Sequence, residues 1–385
     1  VTEAADRSRP ALDSTAVAEA VHLSLVPGLG PESWTALMER FETSGAVLRQ
    51  SASTLETVEH VGAKLAARIA TARREIDPEP ELLLAAQLGM EIIPRGAAGY
   101  PTALEEIPDP PILLYVKGTW LERDSLAVAM VGARHATPYG LRMADRLGTS
   151  LARVGYTVVS GLARGIDAAA HRAALKAGGR TIAVLAGGLH TIYPPEHVEL
   201  AREIANHGCL MSEMPLRYPH LGRLFSRRNR IVSGLCQGVV VVEAARKSGS
   251  RVTARHAVEQ NREVFAVPGP ADSLTSRGCH ALIRDGAKLT ETVEDILDEL
   301  DASRLVLPTS ASESADGRRH SELTLNPQEL LLLSHLDDTP RPIDDLISVT
   351  KLSSSHVLAT LAVLEMRRYV KRLPGNLFVR AGLGR

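Results

Sequence analysis

Between residues 126 and 267 the chain alternates near-continuous apolar runs of strand length with stretches of helical period. The apolar runs cover 126–131, 157–160, 181–185, 209–212, 239–242 and 264–267. The helical stretches cover 139–154, 167–177, 196–206, 224–235, 252–260 and 276–284. A strand buried on both faces shows no polar alternation, and helices between such strands supply the crossovers of a parallel sheet. The pattern predicts an α/β domain over 120–301, a Rossmann-like doubly wound parallel sheet.

The flanks read differently. Over 15–75 short helices are broken by glycine. Val26-Pro27-Gly28-Leu29-Gly30-Pro31 and Val58-Glu59-His60-Val61-Gly62-Ala63-Lys64 each separate two helical stretches, the pattern of a helix–hairpin–helix module. Its few cations are Lys64, Arg68, Arg73 and Arg74. Within 76–119, residues 76–80 read as a linker and 100–118 as an extended lead-in with one strand, where prolines exclude a long helix. Residues 1–14 are polar and are expected to be disordered, and 302–323 reads as a linker. Over 324–385 a helix, a helix–turn–helix and a hairpin at 369–380 predict a winged helix.

Composition removes whole classes. Lys+Arg number 44 against 45 Asp+Glu, so bulk charge favours no polyanion. Aromatics are 3 % of the chain, so base stacking must rest on one or two rings. The three cysteines, Cys209, Cys236 and Cys279, are too few for a disulfide framework and read as core residues in a reducing, cytoplasmic setting. No apolar run reaches the ~18 residues of a membrane span, and residues 1–10 lack the order of a secretory leader.

In an open parallel sheet, ligands bind beyond the carboxyl ends of the strands. Gly132-Ala133-Arg134 follows the first predicted strand and places a cation at the mouth. Ser160-Gly161-Leu162-Ala163-Arg164-Gly165 follows the second and opens a helix, where turn amides and the positive helix end suit a phosphate. Asp167 and His171 are expected only to cap and pack that helix. Gly187 and Gly188 keep the third mouth open. Ser248-Gly249-Ser250 with Thr253 forms a second hydroxyl-and-glycine turn before a helix, hence a second candidate phosphate site. Charge is concentrated locally: residues 217–262 hold ten cations and two acids, including Arg227, Arg228 and Arg230 around Asn229. A basic stripe at the ligand edge of the sheet argues for a polyanion, with Phe225 as a base-stacking ring.

The phosphate-cradling run G-x-x-x-x-G-K-[ST] is missing, as are the second and third glycines of a dinucleotide site. No metal spacing and no complete set of nucleophile, base and oxyanion donors is present, so no catalytic residue, metal or cofactor is expected. Two other functions stay open. One is a nucleotide N-glycosidase of phosphoribohydrolase type with Glu243 as its carboxylate. The other is a duplex-DNA regulator reading through the winged helix, whose recognition segment 353–368 is basic only at Arg367 and Arg368.

Taken together, Tyr100-Pro101, Pro110-Pro111, Val131-Gly132-Ala133-Arg134, the run 160–167, Ser212-Glu213, Phe225-Ser226-Arg227-Arg228-Asn229-Arg230-Ile231, Val240–Ala244 with Ser248-Gly249-Ser250, and Pro268-Gly269 resemble the DprA (Smf) family of DNA-processing proteins. The resemblance spans about residues 100–289. The chain departs from the family pattern at Pro195, His197, Ser226 and His280. The resemblance implies single-stranded DNA binding, protection of incoming DNA, loading of the RecA recombinase in natural transformation, and a homodimer. It implies DNA contacts at Arg134, the 160–165 turn, Arg227, Arg228 and Arg230, and dimer contacts at Cys279, His280, Leu282 and Ile283.

Overall fold

The computed structural model describes residues 13–306, 327–337, 340–350, 357, 360–361, 364, 369–373 and 377–380. The expectations for residues 1–12, for most of the linker and for most of the 353–368 recognition segment lie outside the described residues. Two compact units divide at Val306, and each is described by itself.

The first unit opens with five helices: α1 (Ser14–Ser24), α2 (Pro31–Phe41), α3 (Ser44–Leu48), α4 (Ala52–Leu55) and α5 (Ala63–Glu75). Leu23, Trp34, Leu37, Leu55 and Ile69 close one apolar core between them. The two glycine turns sit between α1 and α2 and between α4 and α5, and each holds the other module in place. Ser33 Oγ donates to His60 O at 2.8 Å, and Arg68 Nη1 donates to Pro27 O at 2.8 Å. Arg68 is thus spent on the hairpin itself.

A nine-stranded sheet follows, in the order β1-β2-β6-β5-β4-β3-β7-β8-β9, where β1 is Met90–Pro94 and β2 is Leu113–Gly118. Its parallel strands are β3 (Ala127–Val131), β4 (Thr157–Ser160), β5 (Thr181–Val184), β6 (Cys209–Ser212), β7 (Gly238–Val241), β8 (Glu263–Ala266) and β9 (Lys288–Leu289). Side chains alternate between the faces as the pleat requires. Ala127, Ala129 and Val131 enter one apolar cluster, while Val128 and Met130 enter the opposite one. Both faces are covered, by α8 (Pro138–Arg153), α9 (Ile166–Lys176), α10 (Val198–His207), α11 (Gly222–Gly234), α12 (Gly249–Glu259), α13 (Arg277–Arg284) and α14 (Val293–Val306) among them. All three cysteines are buried.

The lead-in is more ordered than its prolines predict. A helix, α6 (Glu79–Gln87), precedes β1, which pairs antiparallel with β2, and a short helix, α7 (Thr102–Glu105), lies between those two strands. β2 in turn pairs antiparallel with β6. The sheet is therefore mixed at one edge, and its strands begin thirty residues before the predicted domain start, as the difference between Met90 and position 120 shows.

In the second unit a three-stranded antiparallel sheet, Arg341–Pro342, Val370–Leu373 and Leu377–Arg380, stands with helices Pro327–Ser334 and Ile343–Thr350. Leu332, Leu336, Leu346, Val357, Leu361 and Phe378 are buried in its core.

Candidate nucleic-acid interface

The chain runs β3 to β6 toward one edge of the sheet, then returns to place β7 on the other side of β3. That reversal opens a crevice beyond the carboxyl ends of β3 and β7. A cleft of about 630 Å³ occupies it. Its walls include Gly132, Arg134, Ala163, Phe225, Arg228, Asn229, Ser248, Gly249, Ser250 and Thr253 from the predicted set.

Glycine at 132 and 165 is dictated by packing. A Cβ on Gly132 would lie 2.6 Å from Ile166 and 3.0 Å from Glu243 O. Gly165 has φ +73°, and a Cβ there would meet the Ala133 carbonyl oxygen at 2.2 Å. The two loops thus interlock and hold Arg134 at the rim. Its guanidinium carbon stands 5.1 Å from the centre of the Phe225 ring, a cation–π contact. Phe225 is 5.9 Å from Tyr193, which stacks on His220 at 5.7 Å. His220 is tied down at both nitrogens: the Gly187 N–H reaches Nδ1 at 3.1 Å and Nε2 lies 2.7 Å from Thr191 O. Sequence reading missed Tyr193 and His220 as site residues. Both reach the cleft on loops, where no periodicity marks them.

The 160–165 turn does not offer the amides expected of it. The Asp167 carboxylate accepts from Gly161 N at 3.1 Å and Ala163 N at 3.3 Å, so the protein supplies its own anion. Burial raises the pKa of Asp167, while Arg228 and these N–H groups oppose the shift. Ser160 Oγ donates to Met130 O and is buried. A Cβ on Gly161 would strike the Arg228 guanidinium at 2.4 Å, so this glycine makes room for an arginine and not for a ligand. Gly187 and Gly188 likewise accommodate His220 and the Pro215 and Leu216 carbonyls. Arg164 is paired with Glu196 outside the cleft.

The arginines of α11 divide in the same way. Arg230 is a correction: its side chain is 5 % exposed, with Nε 3.0 Å from Asp109 and Nη2 2.7 Å from Glu213. It ties the lead-in to α11 and faces no ligand. Arg227 is half-exposed and also pairs with Glu213, at 3.2 Å. Arg228 lines the cleft but is buried, donating from Nη1 to the Gly161 and Val184 carbonyls. Burial lowers its pKa to about 10, so it keeps its charge at neutral pH.

The Ser248–Thr253 turn is the open one. It starts α12, and Ser248 makes no side-chain cap to the helix. Its hydroxyl shares a hydrogen bond with Ser250 Oγ. A Cβ on Gly249 would meet nothing within 4 Å. The first turn of α12 therefore opens uncapped on the cleft that Arg134 also lines.

Glu243, the carboxylate of the glycosidase alternative, does not line the cleft. It accepts from Thr137 N at 2.9 Å and Thr137 Oγ1 at 2.5 Å, and so fixes Thr137, the residue that caps α8. Of the expected dimer contacts, Cys279 is wholly buried beneath the sheet and reaches no surface, which corrects that assignment. His280, Leu282 and Ile283 are half-buried.

The family model for DNA recombination-mediator protein A matches residues 91–301, and that for the DprA winged helix domain matches 317–376. Protein Smf of Escherichia coli is 40 % identical over 299 residues, 77 % of this chain and 79 % of that one. DNA processing protein DprA of Bacillus subtilis is 43 % identical over 239 residues, 60 % of this chain and 80 % of its own. Among solved structures, the X-ray structure of DprA from Streptococcus pneumoniae superposes with TM-score 0.63 at 33 % identity, covering 73 % of this chain and 97 % of that one. DNA processing protein A from Helicobacter pylori, described for its single-stranded DNA binding mode, gives TM-score 0.51 at 30 % identity, covering 57 % of this chain and 98 % of its own.

Proposed function

The chain belongs to the DNA recombination-mediator protein A family, and from that premise we propose that it is a DNA-processing protein of natural transformation that grips single-stranded DNA in the cleft at the sheet reversal. The observation that carries the reading is the convergence of Arg134, the Phe225–Tyr193 rings and the uncapped start of α12 on one crevice. Backbone amides and guanidinium groups take phosphates, and aromatic faces take bases without regard to sequence. The solved relative from Helicobacter pylori is described by such a binding mode. The protein's place in the reading is to hold and shield the strand in the cytoplasm, as a homodimer, and to pass it to the RecA recombinase. Binding of this kind breaks no bond, and the function proposed is not enzymatic.

The test is binding of labelled oligonucleotides over a range of salt. If about four phosphates are neutralised, log affinity falls with log salt at a slope near −3 for a single strand. Arg134→Ala is expected to weaken binding by about tenfold on every sequence and to make the slope shallower by about 0.7. A flat salt response, or a preference for duplex, would overturn the proposal.

A further inference from the structure

Two loops meet on the side of the cleft away from α12. One follows β5 and carries Tyr193; the other follows β6 and carries His220. Backbone hydrogen bonds zip them together. The Gly188 N–H donates to Tyr218 O at 2.8 Å, and the His190 N–H donates to Leu216 O at 3.0 Å. His220 closes the same seam with its side chain, through the Gly187 N–H on Nδ1 and Thr191 O beside Nε2. Because Nδ1 accepts, the ring carries its proton on Nε2, and the seam selects one tautomer and one ring orientation. A Cβ on Gly187 would lie 2.9 Å from that ring, so the first loop closes over it only with glycine there.

What the fixed ring supports is Tyr193. The two rings stack with their planes 27° apart. Tyr193 is 41 % exposed and lines the cleft. Arg164 approaches its hydroxyl, but that guanidinium is half-exposed and shared with Glu196, and so holds the ring weakly. His220 is thus the firm side of the tyrosine.

The neighbouring ring sets the order of contacts. Phe225 and Tyr193 are tilted by 57° and already within aromatic contact distance, so no base passes between them. A strand meets them one after the other, first on α11 and then on the loop after β5. An exposed ring that swings freely must be ordered before it can stack a base, and that ordering subtracts from affinity. A ring braced beforehand avoids the loss.

We propose that His220 is a positioning residue for base stacking: it holds Tyr193 in place for a base next to the one on Phe225, and touches no DNA itself. The inference rests on the single-strand reading above. It turns two loops without charge or period into part of the binding machinery, and it makes the contribution of His220 depend on bases and not on phosphates.

The experiment compares the full-length protein with His220→Asn on two labelled single strands of equal length, one ordinary and one in which every sugar lacks its base. Asparagine keeps an acceptor for the Gly187 N–H but has no ring, so the thermal melt of the variant should stay with that of the parent. The variant is expected to bind the ordinary strand about fivefold more weakly and the baseless strand within about twofold of the parent. The salt slope should not change, because no phosphate contact is lost. Tyr193→Ala should weaken binding of the ordinary strand about tenfold, and adding His220→Asn to it should cost less than about twofold more. That double variant decides the matter even if the melt falls. Equal loss on both strands, a shallower salt slope, or losses that multiply in the double variant overturn the proposal, since each has His220 acting other than through Tyr193. Undiminished binding of the ordinary strand overturns it as well. If the parent itself fails to bind the ordinary strand, the failure is instead that of the single-strand reading.

Discussion

Two turns in this protein look alike in sequence and do opposite things. Ser160–Gly165 and Ser248–Ser250 both place hydroxyls and glycines after a parallel strand and before a helix. In the first, Asp167 folds back onto the turn's amides and Arg228 fills the space that Gly161 leaves. In the second, no side chain caps the helix and the glycine faces open space. A turn's N–H groups serve a ligand only where the chain has not already supplied an acceptor. One carboxylate, two residues into the helix, decides the matter.

The largest effect should come from Asp167→Ala. It leaves Arg228 buried without its counter-charge and two amides without an acceptor, a loss expected at about 3–5 kcal/mol in chemical denaturation. If stability barely changes and DNA binding tightens, the first turn is a masked phosphate site and the contrast fails. Ser248→Asp makes the converse change, giving the second turn a carboxylate of its own. It should stabilise α12 by about 0.5–1 kcal/mol through capping. It should also weaken single-strand binding by about 2 kcal/mol, or thirtyfold, by competing with a phosphate for charge-assisted bonds. The opposite signs, read by thermal melting and by anisotropy, are the point of the test.

Acid separates the two turns more gently. His171, on the helix behind the first turn, has its pKa lowered to about 3 by burial, with His197, Arg228 and Arg172 adding to the shift. Its neutral form is the folded one, so its contribution is complete above the unfolded value near ~6.5 and is lost as pH falls toward 3. From pH 7 to 5 the expected loss is at most about 2 kcal/mol. Asp167, with its raised pKa, works in the other direction. The readout is therefore the difference between the parent and His171→Asn, which keeps an atom near Nδ1 for Thr181. A flatter stability profile is expected for the variant; parallel profiles would show that His171 is not the titrating group.

The parallel core was legible because strands buried on both faces write themselves as unbroken apolar runs. β4 and β6 fall where those runs predict, β3 and β5 are shorter by a residue at one end, and β7 and β8 are shifted by one residue. The antiparallel edge was not legible. β2 falls in the one strand read in the lead-in, but β1 is five residues ending in Pro94, too short to show a period, and its antiparallel pairing with β2 across a proline-rich loop leaves no trace in the pattern. The site divides similarly. Arg134 and Phe225 stand out by charge and by rarity. Ser160, Gly161, Gly187 and Gly188 mislead, because glycine beside a strand end serves close protein packing as readily as a ligand. Arg230 misleads for another reason: its partners Asp109 and Glu213 lie far away in sequence, and only the fold brings them to it.

The antiparallel edge also sets an order of events during synthesis. β2 finds its second neighbour only when Ser212 pairs with Tyr115, and so must wait for roughly a hundred further residues to leave the ribosome. Until then the hairpin of β1 and β2 has one flank of backbone groups unsatisfied. The segments made in that interval, β3 to β5, lie on the side of β6 away from β2. The sheet therefore cannot close across this edge until β6 has been made, and the early hairpin keeps an open strand edge for the whole of that interval.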